Sequence, residues 1–340
     1  MTFRLQNPIL LATERVSRGA SAIPWAIDFL DDAFLGIVNT DLTLLGAWTG
    51  VGKTQIASHI AYQAAKASKN VAFFALEAED GEIEDRLLWA AICREWWSRN
   101  PQGKPGVDMR YVAWRNGLLH EELFEIERAI LPLVRMDMDG LRTIYKNEES
   151  TSFTVDDFVK AFDAAKDEAD LIIVDHMHYF DFDDENENRA LKLAAKKIRA
   201  AALRHKKPVL LLAHLRKASR QGQTMLPDID DFYGHSDLVK IGVNVIMAAR
   251  ADEKKLKSGN RATWFYIPKA RHAGDAQGYA ALVGFDVTKG SYTPGYQLYR
   301  ARRWQEPELI SKDELPRWAK RAVHPAPAKT MPPTEQERLF

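Results

Sequence analysis

The sequence has almost no cysteine, which excludes two kinds of stabilised fold. Cys93 is the single cysteine among 340 residues, so neither a disulfide framework nor a cysteine zinc site can form. One thiol suits a reducing compartment, and we expect a cytoplasmic protein. The first residues show no apolar run behind a basic segment, so we expect no signal peptide. No stretch approaches about 18 uninterrupted apolar residues, so we expect no membrane span.

The chain also lacks an excess of charge of either sign. Lys+Arg and Asp+Glu are both 47, and the formal net charge is zero. A protein that coats nucleic acid in general would be basic, so any contact with a polyanion must be a local patch. Hydrophobic residues make up 46% of the chain, which is ordinary for a globular protein with a sizeable core.

A phosphate-binding loop is the strongest motif present. Leu42 to Leu45 predict a short buried strand, the next residues form a glycine-bearing loop, and Lys53 opens a helix. Such a loop points its amides at an anion, and the helix dipole favours it. Lys53 would reach the β- and γ-phosphates of ATP, and the Thr54 hydroxyl would hold Mg²⁺. The alternative is a strand-to-helix turn that contains Gly-Lys-Thr by chance. The predicted nucleotide-binding residues are Ala47, Trp48, Thr49, Gly50, Val51, Gly52, Lys53 and Thr54.

Apolar runs alternate with helical patterns along the chain, which predicts an α/β fold with a doubly wound, mostly parallel sheet flanked by helices. We divide the chain into an irregular N-terminal arm (1–23), an ATPase domain (24–321) and a disordered tail rich in proline and charge (322–340). The predicted helices cover 25–34, 82–98, 120–134, 155–168 and 188–205, and the predicted strands after the loop helix cover 71–76, 141–145, 171–174, 208–213, 243–248, 263–267 and 279–285.

Three side chains at predicted strand ends complete a nucleotide site, because ligands of open α/β sheets bind there. Asp175 would share the Mg²⁺ sphere, or it caps the next turn. Glu77 would orient and deprotonate the attacking water, or it is one more solvated acid in an acidic turn. His214 would bond the γ-phosphate or that water, or it is satisfied by a backbone carbonyl.

Lys269 and Arg271 follow the strand predicted over 263–267. They are two residues apart, so on an extended segment they point the same way. Paired cations of this kind could stabilise the transferring phosphoryl group as an arginine finger does. The alternative is a basic solvated turn.

Taken in order, these motifs resemble the RecA-like core of DnaB-family replicative helicases over residues 24–285. The resemblance implies a RecA-like P-loop NTPase that forms a ring, a hexamer, with ATP and Mg²⁺ between subunits. It makes Glu77 the catalytic base and lets Lys269 and Arg271 act on the nucleotide of the neighbouring subunit. Alanine at the first loop position also occurs in that family, whereas glutamine usually stands where this chain has His178 and His214. The motifs are Ala47-Trp-Thr-Gly-Val-Gly-Lys-Thr54, Phe-Phe-Ala-Leu-Glu77, Leu-Ile-Ile-Val-Asp175-His-Met-His178, Leu-Leu-Ala-His214-Leu-Arg and Lys269-Ala-Arg271-His-Ala-Gly.

Two loops that face the central channel in that family differ in charge here. The segment 180–188 carries five acids and would repel a phosphate backbone, whereas the segment 216–223 is basic. We predict Arg216, Lys217 and Arg220 as contacts for single-stranded DNA, the alternative being a solvated basic loop. Because only about forty residues precede the phosphate-loop strand, we expect a core-only form without the family's N-terminal primase-binding domain, as some phage and plasmid members are.

The last five residues resemble a motif that docks on bacterial sliding clamps. Gln336, Leu339 and Phe340 would make that contact, and a chance match is the alternative.

The sequence therefore predicts an ATP-dependent DNA helicase that moves on single-stranded DNA during replication. The alternative is a RecA-like ATPase that acts as a nucleotide-switched loader or regulator of a protein partner without unwinding. The acidic segment and the zero net charge favour that alternative to some extent. A RecA-like recombinase is a weaker third interpretation.

Overall fold

In the computed structural model of the protein, the described strands form one large sheet. The structure describes residues 8–38, 41–118, 120–146, 152–182, 187–216, 226–232, 236–251, 261–302 and 305–323. The strands of the described part are β1 (Leu42–Ala47), β2 (Val71–Ala75), β3 (Leu141–Tyr145), β4 (Leu171–Asp175), β5 (Val209–His214), β6 (Asn244–Arg250), β7 (Arg261–Ala270), β8 (Tyr279–Asp286), β9 (Ser291–Tyr292), β10 (Gln297–Arg300) and β11 (Glu308–Leu309).

The strand order is β11-β10-β8-β7-β6-β1-β5-β4-β2-β3, with β9 paired to β8. The strands from β6 to β3 in this order are mutually parallel, and the strands from β7 onward add antiparallel partners at one side. This arrangement confirms the predicted α/β class and the mostly parallel sheet. The carboxyl ends of β1, β2, β4 and β5 share one edge, which is where a ligand of such a sheet binds.

Helices cover both faces of the sheet, which explains why the parallel strands are almost wholly apolar. Neighbouring strand residues serve opposite faces: Phe73 packs into one hydrophobic core and Phe74 into the other. The helices of the described part are α1 (Pro8–Ala20), α2 (Asp28–Phe34), α3 (Lys53–Lys66), α4 (Glu82–Arg99), α5 (Tyr111–Arg115), α6 (Glu121–Asp137), α7 (Val155–Ala165), α8 (Glu187–His205) and α9 (Ser236–Ile241). Among the described residues, no helix has the length and apolarity needed to cross a bilayer.

The three helices between β2 and β3 form a small core of their own, separate from the two that line the sheet. Trp96 and Ile126 are buried at its centre, and Trp114 closes one side. The indole N–H of Trp114 donates to Glu127 at 2.9 Å, which satisfies a polar atom at the border of this core.

The predicted N-terminal arm is not irregular throughout, which corrects one expectation. Residues 8–20 form α1, which begins with a proline at its first position, where a missing amide hydrogen costs nothing. The helix expected from residue 25 begins only at Asp28, because Ala26 takes a left-handed conformation just before it. The N-cap expected at Thr154 is confirmed as a capping box with Asp157.

Candidate active site

The phosphate loop lies between β1 and α3, as the sequence predicts. Gly50 and Gly52 both have positive φ, at 80° and 102°, a conformation that favours glycine. A side-chain carbon at Gly50 would meet open space, so this position is set by backbone conformation rather than by crowding. Gly46 differs, because a carbon there would lie 2.6 Å from the Phe232 ring. Gly50 and Gly52 therefore give the loop its backbone conformation. Gly46, in the strand that precedes the loop, allows close packing against Phe232.

Lys53 is buried at the start of α3 and is held within the site. Its ammonium donates to the Ala47 carbonyl at 3.1 Å and to Nδ1 of His214 at 2.9 Å. Burial lowers the pKa of Lys53, and the nearby carboxylates of Asp175 and Glu77 oppose that shift. Both partners of the ammonium are hydrogen-bond acceptors, as phosphate oxygens are.

Thr54 and Asp175 meet as a pair that fits a magnesium ion. The Thr54 hydroxyl bonds the Asp175 carboxylate, whose burial raises its pKa to about 6 despite that bond. The Oδ1 atom of Asp175 is buried and has no hydrogen-bond partner among the described residues. A buried carboxylate oxygen without a donor is costly unless a cation compensates it. A hydroxyl and a carboxylate are hard oxygen ligands of the type that Mg²⁺ takes.

Glu77 follows β2 at the same edge and faces the turn that follows β4. Its side chain is 41% exposed, and its Oε2 atom lies 2.9 Å from Nε2 of the buried His176. The Tyr179 hydroxyl also bonds Glu77, and burial, followed by this carboxylate, raises the pKa of that tyrosine. The structure thus brings Glu77, Lys53, Asp175 and Thr54 together, as predicted.

Three histidines cluster beside these groups, and the sequence analysis assigned only one of them a role. The ring centroids of His176 and His214 are 4.0 Å apart, and His178 lies 5.3 Å from His176. Burial, with neighbouring positive charge, lowers the pKa of His214 to about 4 and that of His178 to about 4. The rings are therefore neutral at physiological pH and can accept a hydrogen bond or donate one.

Glu77, His176 and His214 also meet the spacing of a metal site, since their ligand atoms lie within 4.8 Å of one another. The hydrogen bonds of the two histidine rings argue against a metal ion at this place. An ammonium can only donate, so Nδ1 of His214 accepts from Lys53, and Nδ1 of His176 accepts from the amide of His178. Both neutral rings then carry their proton on Nε2, and a cation would also face the Lys53 charge. The Nδ1 atoms of both rings are thus already hydrogen-bonded, whereas Nε2 of His176 is buried without a hydrogen-bond partner among the described residues.

Arg271 and Lys269 lie at the opposite edge of the sheet. The Arg271 amide donates to Val243, whose own amide donates to Leu42, the first residue of β1. The phosphate loop follows the last residue of β1, about 16 Å further along at the usual rise per residue. The structure therefore does not bring these cations to the nucleotide site of their own chain.

Lys269 is placed differently from the expectation that it follows a strand. It lies within β7, which is longer than predicted, and its ammonium donates to the carbonyls of Val239 at 2.5 Å and Gly242 at 2.7 Å. It therefore holds the end of α9. Arg271 is the exposed member of the pair.

Of the predicted DNA contacts, Arg216 is described and Lys217 and Arg220 lie outside the described residues. The backbone of Arg216 is fixed from two sides: its amide donates to Asp231 at 2.7 Å, and its carbonyl accepts from the Trp48 indole at 2.9 Å. The basic segment thus starts at a residue bonded directly to the phosphate loop. Gln336, Leu339 and Phe340 also lie outside the described residues, and the comparisons below do not support a sliding-clamp partner.

In the acidic segment, Asp181 is neutralised within the chain. Its carboxylate pairs with Lys146 at 3.0 Å and accepts the Phe153 amide, and both contacts lower its pKa. The acids at 183–185 lie outside the described residues. One of the five acids that would repel a DNA backbone is therefore paired within the chain.

The model of the family described as DnaB-like helicase C terminal domain matches residues 22–280. The match covers most of the chain, so the chain belongs to this family of RecA-like, ATP-binding replicative helicases. One solved structure, described as an ATPase domain, is similar with a TM-score of 0.65 at 16% identity, covering 86% of this chain and 99% of that chain. A DnaB-like replicative helicase, whose structure describes its interactions with primase, is similar with a TM-score of 0.63 at 15% identity, covering 86% of this chain and 67% of that chain. At these identities the likeness shows the fold alone. No curated protein sequence matches.

Proposed function

We propose that the protein is a ring-forming, ATP-dependent DNA helicase that hydrolyses ATP between subunits and moves on single-stranded DNA during replication. The convergence of Lys53, Thr54, Asp175 and Glu77 at one edge of the sheet supports the hydrolysis. Each has the chemistry that phosphoryl transfer to water requires.

Lys53 leaves the Ala47 carbonyl and His214 and binds the phosphates, which frees Nδ1 of His214. His214 then senses the γ-phosphate or the attacking water. Glu77 accepts a proton from that water, and its half-exposed position leaves room for it. Thr54 and Asp175 would hold Mg²⁺, which neutralises charge on the phosphates when bound.

A cleft beside the phosphate loop fits the base of the nucleotide. It has a volume of about 340 Å³ and begins at Gln55, on the first turn of α3. Trp89, Tyr111 and Phe285 give it aromatic walls, and Arg261 lies at its rim. Flat aromatic walls with a guanidinium suit a planar base.

The positive charge for the transition state comes from a second subunit in this proposal. Arg271 is exposed at the edge opposite to its own phosphate loop, so only another copy can bring it to the nucleotide. A repeated contact between opposite edges is heterologous, and it generates a ring when the rotation closes. We propose a hexamer, with Arg271 acting in trans. A role of Lys269 in trans stays a prediction.

In this proposal, a short series of hydrogen bonds links the nucleotide site to the DNA-binding segment. The Ala47 carbonyl accepts from both Lys53 and the Leu215 amide, and Trp48 bonds the carbonyl of Arg216. When Lys53 turns to the phosphates, one of these shared bonds is lost next to the basic segment. Arg216, Lys217 and Arg220 track the backbone of single-stranded DNA in this proposal.

Strand separation distinguishes this function from the alternative, a nucleotide-switched loader or regulator. We expect the protein to separate a forked DNA duplex with ATP and Mg²⁺, and not with a non-hydrolysable ATP analogue. The Lys53→Ala variant is the matched negative control. ATP hydrolysis and nucleotide-dependent binding of a protein partner without strand separation would favour the regulator instead.

A further inference from the structure

The carboxyl end of α9 is held by a lysine of β7. The ammonium of Lys269 donates to three carbonyls, those of Val239 at 2.5 Å, Gly242 at 2.7 Å and Lys240 at 3.3 Å. An ammonium has three hydrogens, so these bonds use all of its donors within the chain. The last carbonyls of a helix have no partner inside the helix, and a cation at this end satisfies them.

Arg199 of α8 holds the one carbonyl in this stretch that Lys269 leaves. Its guanidinium donates to the Ile241 carbonyl at 2.6 Å. Side chains from two elements that are distant in sequence therefore fix the consecutive carbonyls of residues 239–242. Arg199 is not one of the nucleotide-binding or magnesium-binding residues described above, so this contact gives it a separate place in the molecule.

The next carbonyl along the chain holds Arg271. The Arg271 amide donates to the Val243 carbonyl at 3.2 Å, and Val243 directly follows the fixed stretch. The amide of Val243 donates to Leu42, which anchors the same residue on β1. The backbone position of Arg271 therefore depends on the segment that Arg199 and Lys269 hold.

The three cations also lie close enough to repel one another. Burial lowers the pKa of Arg199, and the charge of Arg271 lowers it further, while Asp41 opposes the shift. Burial likewise lowers the pKa of Lys269, followed by the charges of Arg271 and Arg199. Arg271 is the exposed member of this group. A phosphate group bound beside Arg271 would offset the repulsion among the three.

We propose that Arg199 is a positioning residue for hydrolysis in the neighbouring subunit: together with Lys269 it holds the carbonyls of 239–242, so that Arg271 meets the neighbour's nucleotide in a fixed place. This inference rests on the proposed role of Arg271 in trans. An arginine that stabilises the transferring phosphoryl group is worth about 10³–10⁵-fold in rate. A misplacement of about 1 Å can cost about 100-fold.

The test replaces Arg199 in the full chain. Arg199→Met removes the guanidinium and keeps an unbranched side chain, whereas Arg199→Lys keeps a donor and a positive charge. Arg204→Met is the matched control, because Arg204 lies on the same helix and pairs with Asp163 at the surface at 3.5 Å. Circular dichroism and the binding of a fluorescent ATP analogue show which variants are folded.

We expect Arg199→Met to lower kcat by about 100-fold, with analogue binding close to that of wild type, because the phosphate loop of the same chain is unchanged. Arg199→Lys should recover part of the loss, and Arg204→Met should behave as wild type. In an Arg271→Ala background, Arg199→Met should add little, because residues that act as a unit are not additive.

Mixing experiments separate positioning in trans from a structural role within one subunit. Assemblies of Arg199→Met with Lys53→Ala contain interfaces at which an intact phosphate loop faces an intact Arg199 and Arg271, so hydrolysis should partly recover. Assemblies of Arg199→Met with Arg271→Ala contain no such interface, and their rate should not exceed the average of the two variants alone. If Arg199→Met does not fold, Arg199→Lys takes its place in both mixtures, and its smaller loss should follow the same pattern.

Three results would overturn the inference and are distinguishable. If Arg271→Ala lowers turnover but a folded Arg199→Met variant keeps the wild-type kcat, the positioning role is wrong and the proposed trans arginine stands. If Arg271→Ala itself retains turnover, the trans arginine and the positioning role are both wrong. If Lys53→Ala subunits restore hydrolysis to Arg271→Ala but not to Arg199→Met, in assemblies shown to contain both variants, Arg199 acts within its own subunit.

Discussion

We expect Glu77→Gln to lower ATP turnover by about 10²–10⁴-fold and to leave ATP binding intact. The amide keeps the shape of the side chain but cannot accept the proton of the attacking water, and general base catalysis contributes about 10²–10⁴-fold. Lys53, Thr54 and Asp175, which bind the phosphates and metal in our account, are unchanged. Turnover is measured by phosphate release, and binding by a fluorescent ATP analogue with Mg²⁺.

Glu79→Gln is the matched control for this change. Glu79 lies in the same acidic turn but is paired with Arg115 at the surface, so its replacement should leave kcat near the wild-type value. Equal losses in the two variants would mean that the charge of the turn matters rather than one base. Unchanged turnover in Glu77→Gln would show that Glu77 is not the catalytic base.

Arg271→Ala is expected to lower kcat by about 10³–10⁵-fold, the range known for an arginine that stabilises the transferring phosphoryl group. The loss should occur without loss of ATP binding by the single subunit, because Arg271 lies at the edge opposite to its own phosphate loop. Arg317→Ala, an exposed arginine with no assigned role, is the control.

Mixing experiments show whether Arg271 acts in trans. Lys53→Ala and Arg271→Ala subunits are each inactive alone in our account. A mixed assembly contains some interfaces with an intact phosphate loop from one variant and an intact Arg271 from the other. Partial recovery of ATP hydrolysis on mixing is therefore expected. No recovery, in assemblies shown to contain both variants, would place Arg271 outside the site.

The sequence predicts those parts of this site that depend on local sequence patterns. A strand, glycines and Lys-Thr define the phosphate loop, and an acid after an apolar run marks the end of a strand, as at Asp175. These features follow from the periodicity of a buried strand and the chemistry of its end. The position of Arg271 at the opposite edge depends instead on the antiparallel pairing of β6 with β7, which no local pattern specifies.

His176 shows why the rest is harder to predict. Its place beside Glu77 depends on β2 and β4 being neighbours in the sheet, which is not visible in the sequence. The signal that was available is its place directly after Asp175 and the density of histidine there, with His178 two residues on. Helix α1 was similarly missed, although a proline before Leu10 and Leu11 marks a helix start.

The most direct test of the whole account is the rate of ATP hydrolysis with and without single-stranded DNA, at low and at moderate salt. A motor that tracks the phosphate backbone through Arg216 and its neighbours should hydrolyse ATP several-fold faster with DNA, and salt should suppress that increase as it weakens phosphate contacts. Hydrolysis at the same rate with and without DNA at both salt concentrations would contradict translocation on DNA and point to a protein partner.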